Sequence, residues 1–141
     1  MQKVGIGIVC ALVVVCCLAV SGCQDQQAVV TDMSSKIVLD SHGLVRFLNS
    51  SMERVTNKSH GVTSVKVGWM FENIAGREIH VRLDVQFYDV SNRLLYQNDS
   101  KTLFMSAGQR EHQFSPWNQI VYSGSDAAMV DHVVISTTEI T

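Results

Sequence analysis

Apolar and polar residues alternate strictly between Ile79 and Tyr88, and this segment carries the clearest pattern in the chain. One set of alternate positions is apolar: Ile79, Val81, Leu83, Val85 and Phe87. The other set is polar or amphipathic: His80, Arg82, Asp84, Gln86 and Tyr88. A period of two predicts a β-strand with one buried and one solvated face, as in an antiparallel sheet. A helix does not fit, because the apolar residues do not fall at spacings of three and four.

Residues 62–73 show the same alternation, with Val65, Val67, Trp69 and Phe71 on the predicted core face. Further short strands are expected at 37–39, 44–48 with 52–56 as a continuation, 93–97, 102–105, 109–115 and 131–137. Turns are expected at 57–61, 89–92 and 107–108, and Ser125 is expected to cap a helical turn at 125–129. The pattern predicts an all-β domain at residues 36–141, an immunoglobulin-like antiparallel β-sandwich of about seven or eight strands.

The first 22 residues have the composition of an export signal. Lys3 is followed by an apolar stretch of 17 residues (4–20) and by the small residues Ser21 and Gly22. The run from Val20 to Cys23 (VSGC) resembles the lipobox of bacterial lipoproteins, in which an aliphatic and two small residues precede an obligatory cysteine. We therefore expect residues 1–22 to be a lipoprotein signal peptide and Cys23 to be lipidated. The alternatives are a plain signal peptide and an anchor helix, because 17 apolar residues lie at the lower limit of a membrane span.

Lipidation would hold the mature protein on a membrane. Each buried methylene contributes about 0.8 kcal/mol, so two or three fatty acyl chains such as palmitate anchor a protein where one chain does not. Gln24 rather than aspartate follows Cys23, which by the lipobox resemblance implies the outer membrane, facing the periplasm. Residues 23–35 are polar and aperiodic, and the sequence predicts a flexible tether whose 12 residues after the cysteine reach about 20 Å.

Charge and cysteine usage narrow the function classes. Lys3 is the one charged residue of the predicted signal, so the mature chain carries 10 basic and 13 acidic side chains. This balance gives no indication of a nucleic-acid partner, which usually requires a basic face. Of the four cysteines, Cys10, Cys16 and Cys17 leave with the signal. A single remaining cysteine excludes an intrachain disulfide and a thiolate metal site.

Residues that could perform chemistry are scattered. The five histidines are His42, His60, His80, His112 and His132, and no two have the spacing that places two ligands on one strand or helix face. The chain has no G-x-S-x-G motif, and Asp89 is expected to cap its own turn. We therefore predict no catalytic residues, no metal and no cofactor, and expect that the protein is not an enzyme.

The mature domain resembles the YcfL-type periplasmic lipoproteins over roughly residues 36–137. The resemblance rests on Leu44 and Gly61 near short strands, on a strand that ends at Asn73 (VKVGWMFEN), and on a strand that closes at Asp89 (LDVQFYD). Ser115-Pro116 and a final strand follow. The family usually carries an F-x-W-x-D pattern, whereas this chain has Phe87-Tyr88-Asp89. The resemblance implies an exported β-sandwich in the cell envelope and supplies no activity.

Two aromatic residues are not explained by core packing. Tyr88 lies on the polar face of its strand and Trp117 follows Pro116, so both are candidates for a binding surface. We expect a non-catalytic interaction module, anchored in membrane lipid through Cys23, that docks an envelope protein through a sheet edge or the loops around Trp117. The alternatives are a glycan- or peptidoglycan-binding module, with Tyr88 and Trp117 exposed and coplanar, and a structural component of an envelope secretion machine.

Overall fold

The computed structural model describes residues 28–113 and 119–141. The strands, in chain order, are β1 (Ala28–Asp32), β2 (Ile37–Asp40), β3 (Val45–Asn57), β4 (Gly61–Asn73), β5 (Ile79–Tyr88), β6 (Leu94–Gln97), β7 (Lys101–Met105), β8 (Arg110–His112), β9 (Ile120–Tyr122) and β10 (His132–Glu139). Two 3-10 helices, η1 (Ser34–Lys36) and η2 (Ala127–Met129), connect β1 to β2 and β9 to β10. In this part of the chain no helix has the length and hydropathy needed to cross a membrane.

The strands form two five-stranded sheets that pack face to face. In the β4 sheet the order is β1-β3-β4-β8, and β9 also pairs with β4. In the β5 sheet the order is β2-β10-β5-β6, and β7 also pairs with β5. The pairing of β2 with β10 is parallel, and the other described pairs are antiparallel. The predicted all-β sandwich is therefore confirmed.

The core lies between the two sheets and is built from the alternating positions of the long strands. Trp69 and Phe71 of β4 and Phe87 of β5 are buried, as the sequence pattern predicts. The ring of Phe87 packs against Tyr96 of β6 and Tyr122 of β9, with ring centroids 5.7 Å and 5.5 Å apart. Strands from both sheets thus contribute aromatic side chains to one buried cluster, which fixes how the sheets face each other.

The sequence pattern predicts neither β1 nor β9. Strand β9 has three residues, too few to show a period. The predicted continuation at 52–56 is confirmed, because β3 runs unbroken to Asn57 with bulges after Phe47 and Val55. The predicted cap at Ser125 is wrong: η2 begins after Asp126, and no side chain caps it. The Asp126 carboxylate instead accepts a hydrogen bond from the hydroxyl of Tyr122.

The predicted tether at 23–35 is wrong for its second half. Residues 28–32 form β1, which pairs with β3 from Ala28↔Asn57 to Asp32↔Glu53. The segment is polar enough to be interpreted as a linker, but Val29 and Val30 are β-branched and β3 offers them a paired edge. The folded domain therefore begins at or before Ala28 rather than at Lys36. Residues 1–27, with the predicted signal and Cys23, lie outside the described residues.

The sandwich has two distinct ends. The tight turn at 57–61 joins β3 to β4, and β4 runs away from it to the opposite end. Strand β5 returns, so the turn at 89–93 lies at the same end as the 57–61 turn. Helix η2 also lies there, because β9 runs toward this end and β10 leaves it. We call this the hairpin end. The opposite end carries the turns at 41–44, 74–78 and 106–109.

Candidate functional site

Tyr88 is the one candidate binding residue that the structure describes, and it lies on the outer face of the β5 sheet. Its ring stacks on His132 of β10, with centroids 5.3 Å apart and planes inclined by 10°. Its hydroxyl donates to Gln86 Oε1 at 2.9 Å, and Gln86 Nε2 donates to Gln97 Oε1 at 3.1 Å. Tyr88 is therefore half-buried, and its own chain covers one face of the ring.

The second candidate residue, Trp117, lies outside the described residues. The glycan-binding hypothesis requires Tyr88 and Trp117 to be exposed and coplanar, because sugar rings stack on free aromatic faces. The structure describes one of the two residues and places it against His132. This arrangement gives the glycan-binding hypothesis no specific support.

The polar side chains near Tyr88 on β5 also contact one another. Asp84 is 9% exposed, and its carboxylate accepts hydrogen bonds from Arg82 Nε at 3.0 Å and from the hydroxyl of Ser100. His80, two positions before Arg82, packs edge-on against Phe104 of β7 with ring centroids 4.0 Å apart. The polar stripe that the sequence pattern places in solvent is thus a network of intramolecular pairs.

The histidines do not converge. His42 lies beside Asp40 at the opposite end, and His60 lies in the turn at the hairpin end. His132 Nδ1 is 3.2 Å from Asp131 Oδ2, and the Asp131 carboxylate also accepts from Lys36 Nζ at 3.1 Å. These two hydrogen bonds, that from Lys36 first, lower the pKa of Asp131. Within residues 28–113 and 119–141, no three His, Cys, Asp or Glu side chains are grouped so that they could hold a metal ion.

Two polar residues fix turns: Asn73 at the end of β4 and Asp89 directly after β5. Asn73 is 1% exposed; its Nδ2 donates to the carbonyls of Arg77, Met105 and Ser106 at 2.7–3.0 Å, and its Oδ1 accepts from Ala75 N at 2.9 Å. This side chain ties the β4–β5 connection to the end of β7. The sequence places Asn73 at a strand end but does not predict its hydrogen bonds, because its partners include distant backbone carbonyls that carry no sequence signal.

Asp89 caps the turn that follows β5, as the sequence predicts. Its Oδ1 accepts from the backbone N–H groups of Arg93 and Ser91 at 3.0 Å and 2.9 Å, and its Oδ2 accepts from Arg93 Nε at 3.0 Å. The hydrogen bond from the Arg93 backbone is the largest of the influences that lower the pKa of Asp89. Asp89 thus fixes the conformation of the 89–93 turn at the hairpin end.

The strongest candidate interaction surface is the side of the sandwich where β1 and β2 lie at the edges of their sheets. Among the described strands, β3 alone pairs with β1 and β10 alone pairs with β2. Val30 of β1 and Val38 of β2 are 55% and 51% exposed, and Val29 and Leu39 beside them are exposed as well. We call these two edges, with these four side chains, the open side. An edge strand with free backbone groups and apolar side chains is a template for pairing with another strand.

Half of this surface is not predicted from the sequence. The sequence pattern predicts docking at a sheet edge, but Val29 and Val30 fall in the segment predicted as a flexible tether. The signal that identifies them is the pair of adjacent β-branched residues within a polar segment, since such residues are unusual in a linker. Their partner strand β3 is polar at Asn49, Ser50 and Ser51, so its sequence does not predict a strand of 13 residues that offers a long edge.

Comparisons with known proteins give the following. No protein-family profile and no curated protein matches the chain. A crystal structure of Campylobacter jejuni cj0090 has a TM-score of 0.40 and 14% identity, over 73% of this chain and 98% of that one. A crystal structure of a DUF1425 family member from Shewanella sp. pv-4 has a TM-score of 0.41 and 11% identity, over 70% and 98%. Likeness at this level assigns neither a family nor a function to this chain.

Proposed function

We propose that the protein is a lipid-anchored, non-catalytic interaction module of the bacterial cell envelope. Acylated Cys23 would hold it at the outer membrane, facing the periplasm, and the open side would dock a protein partner. The observation that carries the docking proposal is the exposure of Val30 and Val38 on edge strands. The YcfL-type resemblance agrees with this compartment, and Asn73 and Asp89, which contribute to that resemblance, act here as turn-fixing residues.

Within the described residues, β1 and β2 are short but carry neither lysine nor proline. Lysine, proline and inward-pointing charges blunt edges against association in most soluble proteins. In β1 and β2 the charged residues are Asp32 and Asp40, and both stand at the last position of their strand. A partner strand added to either edge would gain backbone hydrogen bonds, and its apolar side chains would pack against the exposed valines.

A charge placed on either edge tests the proposal. We expect the wild-type lipoprotein, extracted from its own cells in mild detergent, to run in native size analysis well above the mass of its monomer. Val30→Lys or Val38→Lys should return it to the monomer size, because burying an unpaired ammonium beneath an added strand is unfavourable. Ala107→Lys, on an exposed turn at the opposite end, is the matched control and should leave the complex intact.

The folded state of each variant is checked separately. Val30 and Val38 are half exposed, so the lysine stem has room and thermal unfolding should change little. If Val30→Lys, Val38→Lys and Ala107→Lys give the same native size as the wild type, docking does not use the open side and the proposal is wrong.

A further inference from the structure

We propose that the hairpin end of the sandwich rests on the phospholipid headgroups of the membrane that holds Cys23. The surface consists of the turn at 57–61, Val90 and Met129. This inference rests on the proposed lipid anchor and extends it, because it assigns a membrane-contacting surface to the folded domain itself.

The length of chain before β1 limits how far the domain can lie from the lipid. Five residue steps separate Cys23 from Ala28. A fully extended chain covers at most about 3.6 Å per residue, so Ala28 lies within about 18 Å of the acylated cysteine. A tether that ended at residue 35 would allow the domain to move much further away. The formation of β1 removes that freedom, since residues 28–32 are paired with β3.

The direction of β1 decides which end faces the lipid. Ala28 pairs with Asn57, the last residue of β3, and β1 then runs along β3 away from the turn at 57–61. The chain that leads back to Cys23 therefore departs from the domain beside this turn. The turn itself is tight: Ser59 N donates to Asn57 Oδ1 at 2.8 Å, and Gly61 has a φ of +72°. A rigid hairpin tip thus lies where the anchored chain leaves the domain.

The side chains at this end suit a headgroup layer. Lys58 and His60 are exposed at the tip, and Lys58 has no ion pair within the described residues. Val90 is 81% exposed and Met129 48%. Arg93 links them, since it follows Val90 in the same turn and its guanidinium lies 3.9 Å from Met129 Sδ. Apolar tips and a lysine at one end of a domain are a combination that settles at the boundary of headgroups and acyl chains.

The acidic side chains at the same end are held by partners within the domain, and Asp89 and Asp131 are paired with cations. Asp89 is bound by Arg93, Asp126 accepts from Tyr122, and Asp131 is bound by Lys36. Glu53 and Lys66, on neighbouring strands of the β4 sheet, face each other across the ladder. The Tyr122 hydroxyl is neutral, so Asp126 keeps its charge, as Lys58 does. Lys58 stands at the exposed tip of the 57–61 turn, where a lysine attracts anionic lipid.

The test places a fluorescent label at single cysteines of the full-length lipoprotein. Cys23 is acylated in the proposed mature form and Cys10, Cys16 and Cys17 are removed, so Lys58→Cys, Val90→Cys and Ala107→Cys each carry one free thiol. Each variant is purified after lipidation and reconstituted in vesicles of phosphatidylcholine and phosphatidylglycerol that contain a lipid with a nitroxide on its headgroup. Quenching of the label reports contact with the headgroup layer.

We expect strong quenching at positions 58 and 90 and little at position 107, which lies at the opposite end. Equal, weak quenching at all three positions, with acylation verified by intact mass, would overturn the inference and leave the anchor standing. An unacylated mature protein overturns the proposed anchor, and the membrane contact is then wrong with it.

Discussion

Individual polar side chains at the strand ends account for the shape of the turns. Asn73 donates its two amide hydrogens to three backbone carbonyls, one hydrogen being shared, and accepts from one backbone N–H group while it is 1% exposed. Buried carbonyls that lose such a donor are left unpaired, which costs more than the net gain from a typical hydrogen bond. One amide thus stabilises the junction of three chain segments.

Replacement of Asn73 tests this role. Asn73→Ala should lower the free energy of unfolding by about 1–3 kcal/mol, because it leaves the Met105 carbonyl without its side-chain donor in the interior. Asn49→Ala, at an exposed position of β3, is the matched control and should change stability by about 0.5 kcal/mol or less. Chemical denaturation with a shared slope measures both. Equal losses of unfolding free energy for the two variants would show that the Asn73 hydrogen bonds contribute no more to stability than an exposed asparagine does.

Tyr122 has an unusual environment for a phenol. Burial, followed by the hydrogen bond to Asp126, raises its pKa to about 12. The chain has three tyrosines. The Tyr122→Phe substitution should therefore remove the phenolate titration step near pH 12. Because the folded pKa lies above the usual 10, this group contributes stability below pH 10 that is lost as the pH rises toward 12. Absorbance at alkaline pH, followed together with circular dichroism, checks both effects; an unchanged titration curve in Tyr122→Phe would contradict them.

Asp89 gives a pH dependence of the opposite sign. Hydrogen bonds from Arg93 and Ser91 hold its pKa below the usual 3.8, so its stabilising effect is present above pH 3.8 and is lost as the pH falls through the lowered value. Asp89→Asn should be less stable than the wild type at pH 7, and the difference should shrink as the pH falls below 3.8. Thermal unfolding at a series of pH values measures the difference. A gap that is constant with pH would mean that the ionised carboxylate has no part in the turn.

The strands show how far hydrophobic periodicity predicts this fold. Residues 65–72 and 79–88 alternate, because β4 and β5 are central strands with one face in the core. At the edges the periodicity fails: both faces of β1 are exposed, so its composition resembles a linker. Strand β9 has three residues, and its pairing with β4 is set by contacts distant in sequence. The period of β5 predicts that Tyr88 lies on the outer face, but its stacking partner His132 comes from β10 and carries no local sequence signal.

Because β1 is a paired strand, it should slow the exchange of its backbone amide hydrogens with solvent. Backbone amides in residues 28–32 that pair with β3 should exchange with solvent more slowly than the same amides in an unstructured peptide. Hydrogen–deuterium exchange of the mature protein, read from peptides that cover residues 28–33, measures this protection. Exchange at the unstructured rate would restore the flexible tether to residue 35 and remove the limit of about 18 Å on the distance from Cys23 to the domain.

For the whole molecule, β1 couples the proposed anchor to the proposed docking surface. The strand that begins five residues after Cys23 also forms one edge of the open side. The sandwich would therefore stand on the membrane at its hairpin end, with β1 and β2 running away from the lipid and their free edges facing sideways. A partner that lies along the same membrane fits this arrangement best.

The anchor is the premise of both proposals, and intact mass with membrane flotation of the native protein, beside Cys23→Ser, decides it. We predict that the wild type loses residues 1–22, gains the mass of its acyl chains and floats with the outer membrane, whereas Cys23→Ser gains no acyl mass. Two unlipidated proteins, or two proteins that both stay anchored through residues 4–20, would contradict the lipoprotein assignment.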